Sequence, residues 1–131
     1  MVVMDSDILI GILRGDEAAL KFMESTESRG ESLNTTAINA CELFEGALLH
    51  TRMEESIIKV RTLLGSFEIL SFTSDASLIA AEILVGLRKK GAMIDLEDIY
   101  IAAIAKLNGE GIATRNTEHF GRITGIKIRK W

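Results

Sequence analysis

The sequence predicts a three-layer α/β/α fold with a central parallel sheet of about five short strands. Short apolar runs of strand length recur along the chain. Each is followed by a longer stretch whose apolar residues repeat at helical spacing, and acidic or hydroxyl residues stand where one gives way to the other. Strands separated by helices need crossover connections, which make the strands parallel and put helices on both faces.

The elements follow in order. Val2 to Met4 is an apolar run that predicts the first strand, and Ile8, Leu9, Ile12 and Leu13 then recur at helical spacing until Gly15, so Asp5 falls at a strand's carboxyl end. Asp16 can cap a second helix that turns Ala19, Leu20, Phe22 and Met23 inward and stops near Gly30. Leu33 to Thr35 predicts the second strand. Helical periodicity resumes through Ile38, Leu43, Phe44, Ala47 and Leu48 and continues with Ile57, Ile58, Val60 and Leu64 to a break at Gly65. Phe67, Ile69 and Phe72 alternate as in a strand. Asp75 or Ser74 can cap a helix carrying Leu78, Ile79, Ile83, Leu84 and Leu87, whose Arg88, Lys89 and Lys90 suit a carboxyl end at Gly91. A further helix is expected from Asp95 to Leu107, and strands from Ile112 to Thr114 and from Ile126 to Ile128. With no proline in the chain, glycine supplies the punctuation.

A chain of 131 residues with 47% apolar types fits one globular domain, residues 1–131, large enough to bury a core. The longest apolar segments, such as Ile99 to Ala105, fall short of the roughly 18 residues of a membrane span, and no signal peptide precedes Asp5. A soluble, cytoplasmic protein is expected. Cys41, the one cysteine, agrees with a reducing compartment and excludes a cysteine-based zinc cluster, and His50 and His119 are too few to rescue one. Both histidines read as packing residues. The net charge of −4 is uneven: from Arg115 to Trp131 five basic residues face one acid, Glu118, which leaves a body of −8. A basic tail without interleaved aromatics is as readily a solvated strand as a nucleic-acid contact.

Carboxylates distant in sequence supply the functional signal. Ligands of open parallel sheets bind outside the carboxyl ends of the strands, where Asp5 and the segment Thr114 to Asn116 both fall. Asp95 and Asp98 share one face at the start of an alanine-rich helix that can lie close to the sheet, while Glu97 points away. Acids also favour a helix's first turn through capping and the dipole, so neither is a ligand by position alone. Glu42 lies among Ala40, Cys41, Leu43 and Phe44; if it faces inward, an unpaired carboxylate there is costly and favours a cation beside it.

Four motifs in order then resemble the PIN-domain family, specifically the VapC-type toxin ribonucleases of toxin–antitoxin pairs. They are Val3-Met4-Asp5-Ser6-Asp7-Ile8-Leu9-Ile10 with Leu13-Arg14-Gly15; Asn39-Ala40-Cys41-Glu42-Leu43 with Gly46; Asp98 before Ile101-Ala102-Ala103; and Thr114-Arg115-Asn116 with His119-Phe120. The resemblance implies that Asp5, Glu42 and Asp98 ligate magnesium or manganese. Asn116 stands where many relatives place a fourth acid, and Asp95, outside the core pattern, can supply the missing charge. Among the supporting residues, Asp7 occupies a variable polar position, and Ser6 and Thr114 would orient the carboxylates or a phosphate oxygen by hydrogen bonds. The implied activity is metal-dependent endoribonuclease cleavage of RNA, leaving 5′-phosphate and 3′-hydroxyl ends. A small antitoxin protein is implied as partner and a homodimer as the working unit; Met53, Ile57, Ile58 and Leu64 could supply an oligomer or antitoxin surface, although such a stripe is more often ordinary core.

Two other functions fit parts of the pattern. An apolar strand ending in Asp-x-Asp also presents the nucleophile of haloacid dehalogenase-like phosphatases, with Asp5 attacking phosphorus and Asp7 as acid and base. Against it, the chain is short, Leu9 replaces that motif's usual threonine or valine, and no convincing lysine motif precedes the late acids. A catalytically silent PIN-like module binding RNA or protein suits Asn116 and the basic tail. Against that, a binder has no need to gather acids where a polyanion must approach. Trp131 could cover apolar surface, stack on a base or fray.

Overall fold

The computed structural model describes residues 1–131. Five strands, β1 (Val2–Met4), β2 (Asn34–Thr36), β3 (Glu68–Leu70), β4 (Gly111–Ala113) and β5 (Ile128–Arg129), form one sheet in the order β3-β2-β1-β4-β5, and every pair is parallel. The helices are α1 (Ser6–Leu13), α2 (Glu17–Ser28), α3 (Ala37–Leu49), α4 (Met53–Leu64), α5 (Ser74–Lys90), α6 (Leu96–Leu107) and α7 (Thr117–Phe120). The chain leaves β1 toward β2 and β3, then returns on the other side to β4 and β5. The connections therefore diverge at the carboxyl ends of β1 and β4, the place where doubly wound sheets open a crevice.

Strand alternation divides the core in two. Val2 and Met4 point into a cluster with Leu9 of α1, Ala19 of α2, Leu43 of α3 and Val60 and Leu64 of α4. Val3, between them, points the other way, onto Ile99, Ala102 and Ala103 of α6, Leu87 of α5 and Phe120 of α7. β4 obeys the same register: Ile112 pairs with Val3 and joins its cluster, and Ala113 pairs with Met4 and joins the other. Helices thus cover both faces, and β1 is inaccessible to water on either side, with exposures of 2%, 0% and 0%. Each such apolar side chain contributes about 1.5–3 kcal/mol of burial.

Local chemistry sets most helix ends. Asp16 Oδ1 accepts from the Ala18 and Ala19 amides at 2.9 and 3.1 Å and starts α2 as expected. Thr36 and Asn39 form a reciprocal capping box on α3. Gly91 takes the left-handed conformation, φ 62°, that closes α5. At Gly11 a Cβ would come within 2.9 Å of the Ala19 Cβ, so only glycine lets α1 and α2 approach this closely.

Several boundaries differ from expectation. The continuous periodicity from Ile38 to Leu64 is broken at His50–Arg52, because α3 and α4 both turn their apolar faces to the same core and the pattern runs across the joint. Thr73 caps α5, not Ser74 or Asp75; its Oγ1 accepts from the Ala76 amide at 3.2 Å. β3 is trimmed to Glu68–Leu70, and Phe72 packs on Tyr100 with ring centroids 4.9 Å apart. β2, β4 and β5 are each displaced by one or two residues, and α7 was not expected. Of the apolar positions considered for an oligomer surface, Leu64 is core and Ile57 half-buried, while Met53 and Ile58 are exposed. No helix is long and apolar enough to cross a membrane.

Candidate active site

β1 delivers Asp5 to the crevice. Its amide continues the sheet by donating to Ala113 O at 3.0 Å, and its side chain accepts from the Ser6 amide at 2.8 Å as the N-cap of α1. Two further donors complete the cradle: Asn39 Nδ2 at 3.1 Å on Oδ1 and the Thr114 hydroxyl at 2.7 Å on Oδ2. The residue is 6% exposed. Burial pushes its pKa up to about 6, against the Thr114 hydrogen bond, with Asp7 and Asp98 adding repulsion.

Glu42 projects from the second turn of α3 into the same crevice. Its Oε1 is buried and has no hydrogen-bond partner. Burial first, then the charge of Asp5, push its pKa up to about 7, with Asp98 and Glu97 adding to the rise and the Ser6 hydroxyl opposing it. Asp98, half-buried in the first turn of α6, is raised by burial against the opposing His119, with Asp95 and Glu97 adding to the rise. Three carboxylates from three elements therefore share one electrostatic environment, and neither Asp5 nor Glu42 forms an ion pair with any cationic side chain.

Asp98 is held from β4's side of the crevice. Its Oδ2 accepts from Asn116 Nδ2 at 3.3 Å and lies 2.6 Å from His119 Nδ1, so in the Nδ1–H tautomer the ring donates to the carboxylate. Asp95 begins α6 without a side-chain capping bond, and ligand atoms of Asp95, Asp98 and His119 lie within 4.8 Å of one another. Asn116 is turned mainly to structural use: its Oδ1 accepts from the His119 amide at 3.4 Å and starts α7.

The supporting residues form a connected lattice. Asn39, fully buried, splits its amide between Asp5 Oδ1 and Ser6 Oγ, the latter at 2.9 Å, while its Oδ1 accepts from the Thr36 hydroxyl at 2.7 Å. Thr114 is fully buried and receives the Asn116 amide at 3.0 Å. Asp7 has donors of its own beside the Thr114 hydroxyl at 3.2 Å: Oδ1 accepts from Trp131 Nε1 at 3.0 Å and Oδ2 from the Arg115 amide at 2.7 Å. With both oxygens so engaged, Asp7 is unsuited to shuttle protons as a phosphatase would require.

Asn39 and His119 are the participants to which sequence reasoning assigned no role. Asn39 precedes Glu42 by three residues and so shares its helical face, a signal that was present. His119, read as a packing residue, reaches Asp98 through a helix of four residues, too short for periodicity to reveal. Trp131 is neither frayed nor free: its ring lies under the Arg115 guanidinium, 3.5 Å from the centroid, and packs against the β1–α1 cluster.

The donor set is one of hard carboxylate oxygens without cationic partners, including a buried oxygen that lacks any partner, and it fits a hard divalent cation. Beside it, α1, α3 and α4 border a groove of about 510 Å³ that Glu42 lines with apolar Ile10, Leu13 and Leu43 and basic Arg14 and Lys59.

A family model described as PIN domain matches residues 2–126. Ribonuclease VapC10 of Mycobacterium tuberculosis is 32% identical over 127 residues, which span 97% of this chain and 91% of that protein. The tRNA(fMet)-specific endonuclease VapC of Salmonella typhimurium is 30% identical over 105 residues, covering 76% of this chain and 80% of that one. Among solved structures, DNA-bound VapBC from Salmonella typhimurium superimposes with a TM-score of 0.89 at 25% identity, covering 100% of this chain and 99% of that chain. The family match runs from β1 through α7, and so includes every residue of the carboxylate crevice: the chain belongs to the PIN-domain family.

Proposed function

We propose that this protein is the endoribonuclease toxin of a toxin–antitoxin pair, hydrolysing RNA phosphodiester bonds with a magnesium or manganese ion held by Asp5, Glu42 and Asp98. The observation that carries this reading is the convergence of three mutually repelling carboxylates, two of them without any cationic partner. The ribonuclease and endonuclease names of the relatives support it.

Such an ion, when bound, supplies Lewis-acid polarisation of a phosphoryl oxygen and a water of lowered pKa. The chain's own residues supply position. Ser6, Asn39 and Thr114 hold Asp5 in one rotamer, so its oxygens need no reorganisation on loading. His119 and Asn116 orient Asp98, and Asp95 adds negative charge on the same side. Glu42 keeps an oxygen free. No side chain need act as a nucleophile, since water can attack phosphorus in line, and the family resemblance implies 5′-phosphate and 3′-hydroxyl products.

The groove beside Glu42, which combines apolar residues with basic Arg14, Arg52 and Lys59 and acidic Glu55, is a suitable seat for a segment of the antitoxin, and the VapBC likeness supports such a partner. In this reading residues 1–131 act as one domain of a cytoplasmic homodimer. A monodisperse monomer at micromolar concentration counts against the dimer.

The test is cleavage of a mixed, structured RNA by antitoxin-free protein with magnesium, with manganese and with chelator, beside Asp5→Asn and Asp98→Asn. Metal-dependent cutting that both substitutions abolish is expected. Full activity in either purified variant overturns the assignment, and absence of cutting by folded wild type in any metal favours a silent binding module.

A further inference from the structure

Thr114 has one hydroxyl proton and two carboxylates within reach. Asp5 Oδ2 lies at 2.7 Å and Asp7 Oδ2 at 3.2 Å, on the same donor. Which acid receives the proton depends on how well each is otherwise supplied, because an ionised carboxylate short of donors competes harder for a shared one. Asp7 is well supplied. The Arg115 amide serves the oxygen that Thr114 could reach, and the indole N–H of Trp131 serves the other at 3.0 Å.

Trp131 is itself held on several sides. The Arg115 guanidinium stacks on its ring and Arg115 Nε donates to its carbonyl at 3.0 Å. Its Cη2 lies over Gly11, where a Cβ would come within 3.2 Å. The indole is half-buried against the apolar cluster of α1 and α3. So specific a clamp exceeds what covering apolar surface requires, since a phenyl ring would do that without the N–H.

We propose that Trp131 is a positioning residue for the carboxylate crevice: its indole N–H satisfies Asp7, which leaves the Thr114 hydroxyl proton on Asp5 and keeps that acid in its cation-binding rotamer. The inference rests on the reading of Asp5 as a metal ligand. The structural chain is Trp131 to Asp7, Asp7 to Thr114, and Thr114 to Asp5, with no direct contact between the indole and the crevice acids needed. Loss of the N–H lets the Thr114 hydroxyl turn toward Asp7 and leaves Asp5 with two donors in place of three.

Trp131→Phe keeps an aromatic ring beneath Arg115 and removes the donor, together with the part of the indole that lies over Gly11. Three readouts apply: melting temperature, affinity for Mn2+ alone by titration calorimetry, and the Mg2+ concentration for half-maximal RNA cleavage. The expected result is a melting temperature only slightly lowered, by the lost packing over Gly11, with Mn2+ affinity weakened about tenfold, the scale of lost hydrogen bonds to a metal ligand's supports, and the Mg2+ requirement raised in step. In a Thr114→Val background, where no proton is left to redirect, Trp131→Phe is expected to add nothing further. Wild-type Mn2+ affinity in Trp131→Phe, or an equal weakening with and without Thr114, overturns the inference. Mn2+ binding that Asp5→Asn abolishes but Trp131→Phe leaves intact removes this inference alone. Failure of wild type to bind Mn2+ at all removes the metal reading together with it.

Discussion

Asp5 and Glu42 face the same crevice with pKa values raised for the same first cause, yet the fold treats them in opposite ways. Asp5 accepts donors from Ser6, Asn39 and Thr114, whereas Glu42 keeps a buried oxygen with no partner. One side of the site is built before anything binds; the other is left incomplete. The contrast separates two ways of presenting a charge. A carboxylate fully supplied with donors is rigid and tolerable to the apo fold. A carboxylate left short destabilises the apo fold and gains when a cation arrives.

Neutralising each acid breaks the comparison most directly. Asp5→Asn and Glu42→Gln should each reduce cleavage on the order of a thousandfold, because several kcal/mol of charge stabilisation is at stake. Their stabilities should diverge. An Asn amide at position 5 would meet donors already aimed at the carboxylate, so Asp5→Asn costs roughly 1–3 kcal/mol. Glu42→Gln removes a half-buried charge, one oxygen of which is buried without a partner, and should stabilise the metal-free protein by about 1 kcal/mol at pH 8. Urea melts of both variants in chelator check this, and equal shifts in one direction contradict the contrast.

The pH dependence of the metal-free protein comes next in size. Because the folded pKa values of Asp5 and Glu42 are raised, the folded state holds protons that the unfolded chain releases. Their contribution to stability is present below the ordinary values of 3.8 and 4.5 and is lost as pH rises through about 6 and about 7. Asp5 alone accounts for on the order of 3 kcal/mol across that window. Glu31, held below its ordinary value first by Arg29, works with the opposite sign at lower pH. The melting temperature in chelator should therefore fall between pH 5 and 7.5, and manganese should flatten the slope; a metal-independent slope would detach these carboxylates from metal binding.

How much of this was legible in the sequence varies with the physics of each part. The α6 run Ile101 to Ala105 has no exposed residue, and its alanine-rich composition pointed to a helix lying close on the sheet. Asp5 was readable because an apolar strand must end somewhere polar, and its end is where parallel sheets bind ligands. The break between α3 and α4 was hidden because both helices feed one core. The caps were ambiguous at Thr73-Ser74-Asp75, where consecutive residues all have capping oxygens and only backbone geometry chooses. Asn39 was legible only as a residue sharing the helical face of Glu42, not in its hydrogen bond to Asp5, and His119 reaches Asp98 from a helix too short for periodicity to reveal.

Those two residues sharpen the comparison at its smaller end. Asn39→Ala deletes the donor to Asp5 and Ser6 and half of the capping box, so it should cost about 2 kcal/mol of stability and reduce cleavage about 10–100-fold. His119→Ala touches only Asp98, from a half-buried position on a four-residue helix. Its stability cost should stay below about 1 kcal/mol, with activity down about tenfold. The two should also differ in what restores them. Excess manganese can recruit Asp98 without its histidine, since the carboxylate stays tethered by Asn116. It cannot rebuild the packed interior that Asn39 holds together. Rescue of His119→Ala but not Asn39→Ala at high manganese is therefore the expected outcome of metal titrations monitored by RNA cleavage. The reverse pattern would mean that the rigid side of the crevice is Asp98's and not Asp5's.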